Sequence, residues 1–196
     1  MTALPRLLVL TDRTRCAGPL VETVAAAVAA GARAVVLREK DLPAPERDRL
    51  AEQLAAVLAP VEGLLVRAGA GDGAPAVHLA AADPFPVDRP ALVGRSCHSA
   101  AELDRARAEG CDWLMLSPVH PTPSKPGYGP ALGPAGLAAL LAGRTGPRAY
   151  ALGGVRPEDV AACRAAGAYG VAVMGPVMRD PSLVTAYLAA LADPAP

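Results

Sequence analysis

Aromatic residues make up only 3% of this 196-residue chain, and neither sign of charge is in excess, since Lys+Arg and Asp+Glu each number 19. That balance supplies no basic face for nucleic acid, although net charge says nothing about a single pocket. The four cysteines, Cys16, Cys97, Cys111 and Cys163, are far apart and form no CxxC or Cys/His pair at ligand spacing. A disulfide framework is therefore not expected. Three of the four lie in or beside apolar segments as small core residues, and a reducing cytoplasm is the expected compartment. No uncharged apolar run reaches the ~18 residues of a membrane span, because Glu22, Arg33 and Arg38 break the longest stretches. No basic-then-apolar signal segment opens the chain. Also missing is a glycine fingerprint after the first apolar run, where Thr11-Asp12-Arg13-Thr14 stands, which argues against an open dinucleotide-binding sheet.

What is present is a chain that is 52% hydrophobic, enough for one domain over residues 1–196 with a substantial core. A phrase recurs in it. Residues 29–37, 108–116 and 165–173 each read as a helix end, then a glycine suited to the left-handed position past that end, then a short apolar strand. This is the αβ half of a βαβ unit, and strands apolar on both faces imply a parallel sheet. Eight strand candidates follow: Leu7–Leu10, Ala34–Leu37, Leu64–Val66, Ala76–Leu79, Ala91–Gly94, Trp113–Leu116, Ala149–Leu152 and Gly170–Val173. Helical patterns cover Leu20–Ala30, Pro45–Leu58, Ala100–Glu109, Gly136–Leu141, Pro157–Ala166 and Ser182–Leu191. The alternation predicts a single compact (β/α)8 TIM barrel. Glycines at 69, 71 and 73 and prolines at 84, 86 and 90 reduce the helices after strands three and four.

In such barrels the chemistry sits where strands end at their C-terminal face. Residues 117–133 leave strand six with five prolines, three glycines and no periodicity, too long and too rigid for a plain connector. They read as a substrate loop carrying His120, Thr122, Ser124 and Lys125. Arg38, Lys40 and Lys125 suggest an anionic ligand, and Arg38 and Lys40, two apart, share a face. Gly153-Gly154 after strand seven and Gly175 after strand eight form a second anion site, since glycines let a phosphate approach backbone N–H groups. His78, His98 and His120 all fall at strand ends, so at least one is a candidate general acid or base. No pair of them has a carboxylate or cysteine at ligand spacing, so a metal site is not expected there.

Leu-Arg-Glu-Lys (37–40), Val-His-Leu (77–79), Gly-Arg-Ser-Cys-His-Ser (94–99), Ser-Pro-Val-His-Pro-Thr-Pro-Ser-Lys (117–125), Ala-Leu-Gly-Gly-Val (151–155) and Gly-Val-Ala-Val-Met (170–174) resemble, in order, the thiamine phosphate synthase and thiazole tautomerase superfamily. The resemblance implies a barrel acting on a small phosphorylated thiazole, with no nucleic acid or membrane partner and homo-oligomer assembly left open. For the synthase, which joins a pyrimidine diphosphate to a thiazole phosphate with magnesium, it implies several roles. Arg38, Lys40 and Lys125 would hold the diphosphate, and Thr122 and Ser124 would contact substrate. Gly153, Gly154 and Gly175 would hold the thiazole phosphate, and Asp83 would be a magnesium ligand.

The departures steer the expectation away from that activity. Where the synthase has Gln this chain has Val36, and where it has Asn-Asp after strand three this chain has Arg67-Ala68. An arginine neutralises phosphate but cannot hold magnesium. The expectation is therefore a metal-independent tautomerase without cofactor, aromatising a thiazole carboxylate phosphate. His120, Lys125 and Arg38 would be catalytic, with Lys40, Arg67, Ser96 and His98 binding substrate. The Gly-Arg-Ser-x-His-Ser segment resembles that branch. The alternatives are a magnesium-dependent synthase using Asp83, a barrel that only binds thiazole phosphate, and another reaction on a related heterocycle.

Overall fold

The computed structural model describes residues 4–69, 73–121 and 130–192. Eight parallel strands close into a barrel in sequence order: β1 (Leu7–Leu10), β2 (Ala34–Leu37), β3 (Leu64–Ala68), β4 (Ala76–Leu79), β5 (Leu92–Cys97), β6 (Trp113–Leu116), β7 (Arg148–Leu152) and β8 (Gly170–Val173). β8 pairs with β1 through Leu7↔Val171 and Val9↔Val173, which completes the ring. Around it run α1 (Leu20–Ala29), α2 (Ala44–Leu58), α3 (Ala100–Ala108), α4 (Gly133–Leu141), α5 (Val160–Ala165), α6 (Gly175–Arg179) and α7 (Leu183–Ala192). The (β/α)8 reading holds. Among the described residues no helix separates β3 from β4 or β4 from β5, as the glycines and prolines there predict.

Period two divides each strand between two cores. Outward positions such as Leu7, Val9, Val35, Leu37, Val77, Leu79, Leu114 and Leu116 meet the helices. Helix α1 answers with Leu20, Val24, Ala27 and Val28, and α2 with Ala51, Leu54 and Leu58, the stripes expected of helices with one buried face. Inward positions form a separate cluster that includes Leu8, Leu10, Ala34, Val36, Val66, Ala68, Trp113, Met115, Tyr150 and Ala172.

The lower half of that interior is filled by three of the chain's six aromatics, Trp113, Tyr150 and Tyr169. Trp113 is fully buried and lies over Gly94, where a Cβ would overlap its indole. Tyr150 and Tyr169 meet edge to face at 5.6 Å, and the Arg148 guanidinium lies 4.4 Å from the Tyr169 ring. Their polar tips are satisfied by the segment entering β1: Tyr150 donates to the Pro5 carbonyl and Tyr169 to that of Leu4, each at 2.6 Å. A buried hydroxyl needs such a partner, and here the chain's own entry strand supplies it.

β5 runs three residues past the predicted Gly94 end. Arg95 and Ser96 look like a strand terminus by composition, but both are used inside the fold. Arg95 points outward, fully buried, and its Nη1 donates to the carbonyls of Ala80 (3.0 Å), Ala81 (3.2 Å) and Asp83 (2.7 Å). Its Nη2 lies 2.8 Å from Glu109, as an ion pair rather than an aligned hydrogen bond. The guanidinium thereby ties down the turn after β4. Among the described residues no helix is long and apolar enough to cross a membrane.

Candidate active site

Above the aromatic layer the barrel interior opens into a cavity of about 560 Å³ at the C-terminal ends of the strands. Its floor is Leu10, Ala68, His78, Ser96, Met115, Leu152 and Ala172, one inward residue from nearly every strand. Small side chains at 68, 96 and 172 leave the space that Trp113 and Tyr150 fill below.

The Leu-Arg-Glu-Lys segment splits between two faces. Arg38 and Lys40 both line the cavity, whereas Glu39 turns away and is buried against the loop after β1. There it accepts from the Arg13 backbone N–H at 3.2 Å and from Arg13 Nη1 at 3.1 Å. The Arg38 backbone N–H donates to the buried Thr11 hydroxyl at 3.0 Å, locking the ends of β1 and β2 together. The Arg38 guanidinium lies 3.0 Å from the Met174 sulfur and 3.5 Å from the Thr11 carbonyl. Lys40 Nζ lies 3.7 Å from Asp83, on the turn that Arg95 holds.

Beyond the ends of β7 and β8, Gly153, Gly154 and Gly175 all line the cavity. Gly153 and Gly154 have φ of 95° and 67°, a region costly for other residues. Their lack of side chains also serves packing. A Cβ on Gly153 would lie 3.0 Å from Pro118 Cα, and one on Gly154 2.8 Å from His120 Cβ. The start of the strand-six loop is bonded directly over them, Val119 N–H to Leu152 O and His120 N–H to Gly153 O, both 2.9 Å. The far end of that loop returns to the same place, with Leu132 and Gly133 N–H groups donating to Pro118 and Val119 carbonyls. The base of the predicted substrate loop is thus fixed at the mouth. Thr122, Ser124 and Lys125 lie outside the described residues.

The three histidines divide. His78 is buried, lines the cavity and shares a 2.9 Å hydrogen bond between its Nε2 and the Ser96 hydroxyl. Burial, reinforced by the charges of Lys40, Arg38 and Arg95, pulls its pKa down to about 3, so it stays neutral at physiological pH. His98 lines the cavity and its Nδ1 lies 2.7 Å from the Ser117 carbonyl. A carbonyl only accepts, so Nδ1 carries the proton and, in the neutral ring, Nε2 keeps the lone pair. His120 is not among the cavity-lining residues; its Nε2 lies 3.7 Å from Asp159, the residue that also accepts the Arg156 N–H at 2.9 Å.

Arg67 is likewise not brought to the cavity. β3 turns Ala68 inward and Arg67 outward, where Arg67 Nη2 donates to Asp48 of α2 at 2.6 Å. Sequence reasoning missed three cavity-lining cations: Arg156, and Arg15 and Arg179 beside Gly175. Arg15 sits in a 3-10 turn after β1 and pairs with Asp12 at 3.0 Å, an i,i+3 spacing that could have been noticed. Arg179 lies one turn along α6, a helix too short to leave a periodic signal.

The described residues do not fit the magnesium that the resemblance associates with the synthase. Mg²⁺ at phosphate sites wants near-octahedral oxygen ligands, with one or two carboxylates beside the phosphate oxygens. Ala68 offers none. Asp83 Oδ2 already accepts the Ala80 N–H at 2.8 Å and faces the Lys40 ammonium. Asp12 is held by Arg15 and Thr14. No group of three or more potential ligands is gathered among the described residues.

Residues 7–177 match the model of the thiamine monophosphate synthase (TMP-TENI) family. The thiamine-phosphate synthase of Methanoculleus marisnigri is 36% identical over 207 aligned positions, covering 95% of this chain and 93% of that protein. A Geobacter sulfurreducens protein provisionally given the same name is 36% identical over 189, covering 89% and 87%. The thiamine phosphate pyrophosphorylase structure from Pyrococcus furiosus superposes with a TM-score of 0.79 at 24% identity, covering 95% of each chain, which establishes the shared barrel.

These relatives overturn the expectation of a tautomerase. They carry the synthase name, and two of the features that favoured the other branch, Arg67 and much of the 94–99 segment, are used by the fold. Arg67 faces away from the cavity, so it replaces no ligand inside it. The Gly-Arg-Ser-Cys-His-Ser segment is divided: Arg95 clamps a turn and the Ser99 hydroxyl caps α3 by accepting the Glu102 N–H at 3.2 Å, while Ser96 and His98 line the cavity. The chain belongs to the thiamine monophosphate synthase family.

Proposed function

We propose that the protein is a transferase that couples a pyrimidine diphosphate to a thiazole phosphate, forming thiamine phosphate and pyrophosphate. The observation that carries this reading is a single cavity with cationic groups on two walls. Arg38 and Lys40 stand at the end of β2, and Arg15 and Arg179 stand beside Gly175 after β8. Two anionic substrates can then lie across one floor, their reacting ends over the uncharged His78–Ser96 pair. The bond between the pyrimidine's methylene carbon and the diphosphate oxygen breaks, and its electron pair leaves on pyrophosphate. The thiazole nitrogen donates its lone pair to that carbon. Charge develops on the departing oxygen, where fixed cations act most strongly if water is excluded.

Arg38 and Lys40 are the groups to meet that charge, with the Gly153-Gly154 and Gly175 backbone at the thiazole phosphate. Ser96 and His98 flank the substrate between them. The test is a coupling assay with both substrates, run once with magnesium and once with EDTA. Thiamine phosphate and pyrophosphate should appear in equal amounts in at least one arm. No product in either arm sinks the reading.

A further inference from the structure

We propose that this chain holds the diphosphate directly with arginine and lysine side chains, with no divalent cation bridging protein and substrate. The proposal rests on the coupling reading above and concerns how that site neutralises charge. Among the described residues, five cationic side chains, Arg15, Arg38, Lys40, Arg156 and Arg179, line the cavity against one carboxylate, Asp12. Arg15 is paired with Asp12, and Arg156 lies 3.8 Å from Glu158. Arg38 and Arg179 have no carboxylate partner among the described residues, and Lys40 faces only the partly exposed Asp83 at 3.7 Å. A cavity so charged is incomplete without a polyanion.

The same arrangement opposes a metal. A divalent ion at Asp83 would have to displace the Lys40 ammonium and share a carboxylate whose Oδ2 already accepts the Ala80 N–H. The inward position of β3, beside β2 and its Arg38, is Ala68 and gives no second oxygen. Guanidinium and ammonium groups meanwhile supply what the ion would: positive charge and N–H donors to phosphate oxygens. No atom of the coupling step needs a metal for its balance, because the electron pair leaves on pyrophosphate whichever cation meets it.

The probe is inorganic pyrophosphate, titrated calorimetrically into the whole protein in EDTA and again in excess magnesium. Binding should be at least as tight in EDTA, since magnesium in solution competes with the protein for the same oxygens. Lys40→Ala should weaken the EDTA value about tenfold, the effect of one charge-assisted hydrogen bond. A second readout follows the metal itself. Adding protein to a manganese–pyrophosphate solution should raise the paramagnetic signal of free Mn²⁺, because the protein strips the anion from the ion. Pyrophosphate binding seen only with magnesium, loss of the free Mn²⁺ signal into a ternary complex, or no binding in either buffer each overturns the proposal. If coupling proceeds while pyrophosphate binding requires magnesium, the inference falls and the function stands. If pyrophosphate binds without metal but no thiamine phosphate forms, the function falls and the metal-free anion site stands.

Discussion

The two ends of the barrel interior are built from the same eight strands and use their side chains in opposite ways. Below, Trp113, Tyr150 and Tyr169 fill the space, and the two tyrosine hydroxyls close on backbone carbonyls of the entering chain. Above, the inward residues shrink to Ala68, Ser96 and Ala172, and the rim carries guanidinium groups that meet no carboxylate. The lower end pairs its tyrosine hydroxyls with the chain's own backbone; the upper end leaves positive charge for something else to pair. A barrel can concentrate its aromatic content at one end because inward layers come from alternate residues of each strand, so the two ends respond separately to substitution.

The largest expected effect tests the lower end. Trp113→Ala removes the biggest buried side chain from a layer that cannot collapse, since Gly94 beside it has nothing to move in. Urea unfolding should show a loss of ~3–5 kcal/mol, the range for large aromatic deletions in packed cores. A loss under ~1 kcal/mol would mean that the aromatic plug is not what stabilises the barrel. Next comes the upper end. Arg38→Ala should lower kcat/KM for coupling by ~100-fold or more, the scale on which transition-state charge stabilisers act. Its urea midpoint should barely move, because the guanidinium has no carboxylate to leave stranded. If Arg38→Ala unfolds the protein as Trp113→Ala does, the division between the ends is false.

The same division separates what was legible in the sequence from what was not. Strand period, helix-ending glycines and the missing helices after β3 and β4 are local signals, and they carried the barrel to within a few residues. Arg38, Lys40, Ser96 and His98 line the cavity because strand parity places them there, and the three glycines because they form the turns after β7 and β8. Parity could equally have flagged Arg67. With Ala68 inward, Arg67 must face the helices, where Asp48 waits one helix away in a part of the sequence that no motif marks. Reading Arg67-Ala68 as the loss of a metal-binding pair, together with Val36 and the 94–99 segment, drove the tautomerase expectation. Arg95 misled in a similar way: it stands in the segment that resembles the tautomerase branch, but its partners are three carbonyls of a turn, which sequence cannot display. Arg179 was invisible for the opposite reason, since five residues of α6 are too few to show a face.

The smallest expected effect joins the two ends, through His78. Its ring stacks near the Trp113 indole at 6.1 Å below and bonds Ser96 at the cavity floor above. Burial and then the charges of Lys40, Arg38 and Arg95 hold its pKa at about 3, against about 6.5 in the unfolded chain. Between those values the unfolded chain takes up a proton that the folded protein refuses, so stability falls as pH drops from about 6.5 and the loss saturates near 3. The slope attributable to this one group is on the order of 1 kcal/mol per pH unit. Carboxylates that arginines hold low, Asp41 by Arg13 and Asp104 by Arg144, lose their charge only at still more acid pH than an ordinary carboxylate. Urea unfolding of His78→Gln, which keeps a donor for Ser96 but cannot titrate, should show a shallower fall between about pH 6.5 and 4.5. Saturating pyrophosphate should flatten the wild-type slope as well, because an anion beside Lys40 and Arg38 cancels part of what depresses the ring. A His78→Gln profile parallel to wild type would show that the imidazole does not feel the cationic rim, and that the two ends are independent even at their shared floor.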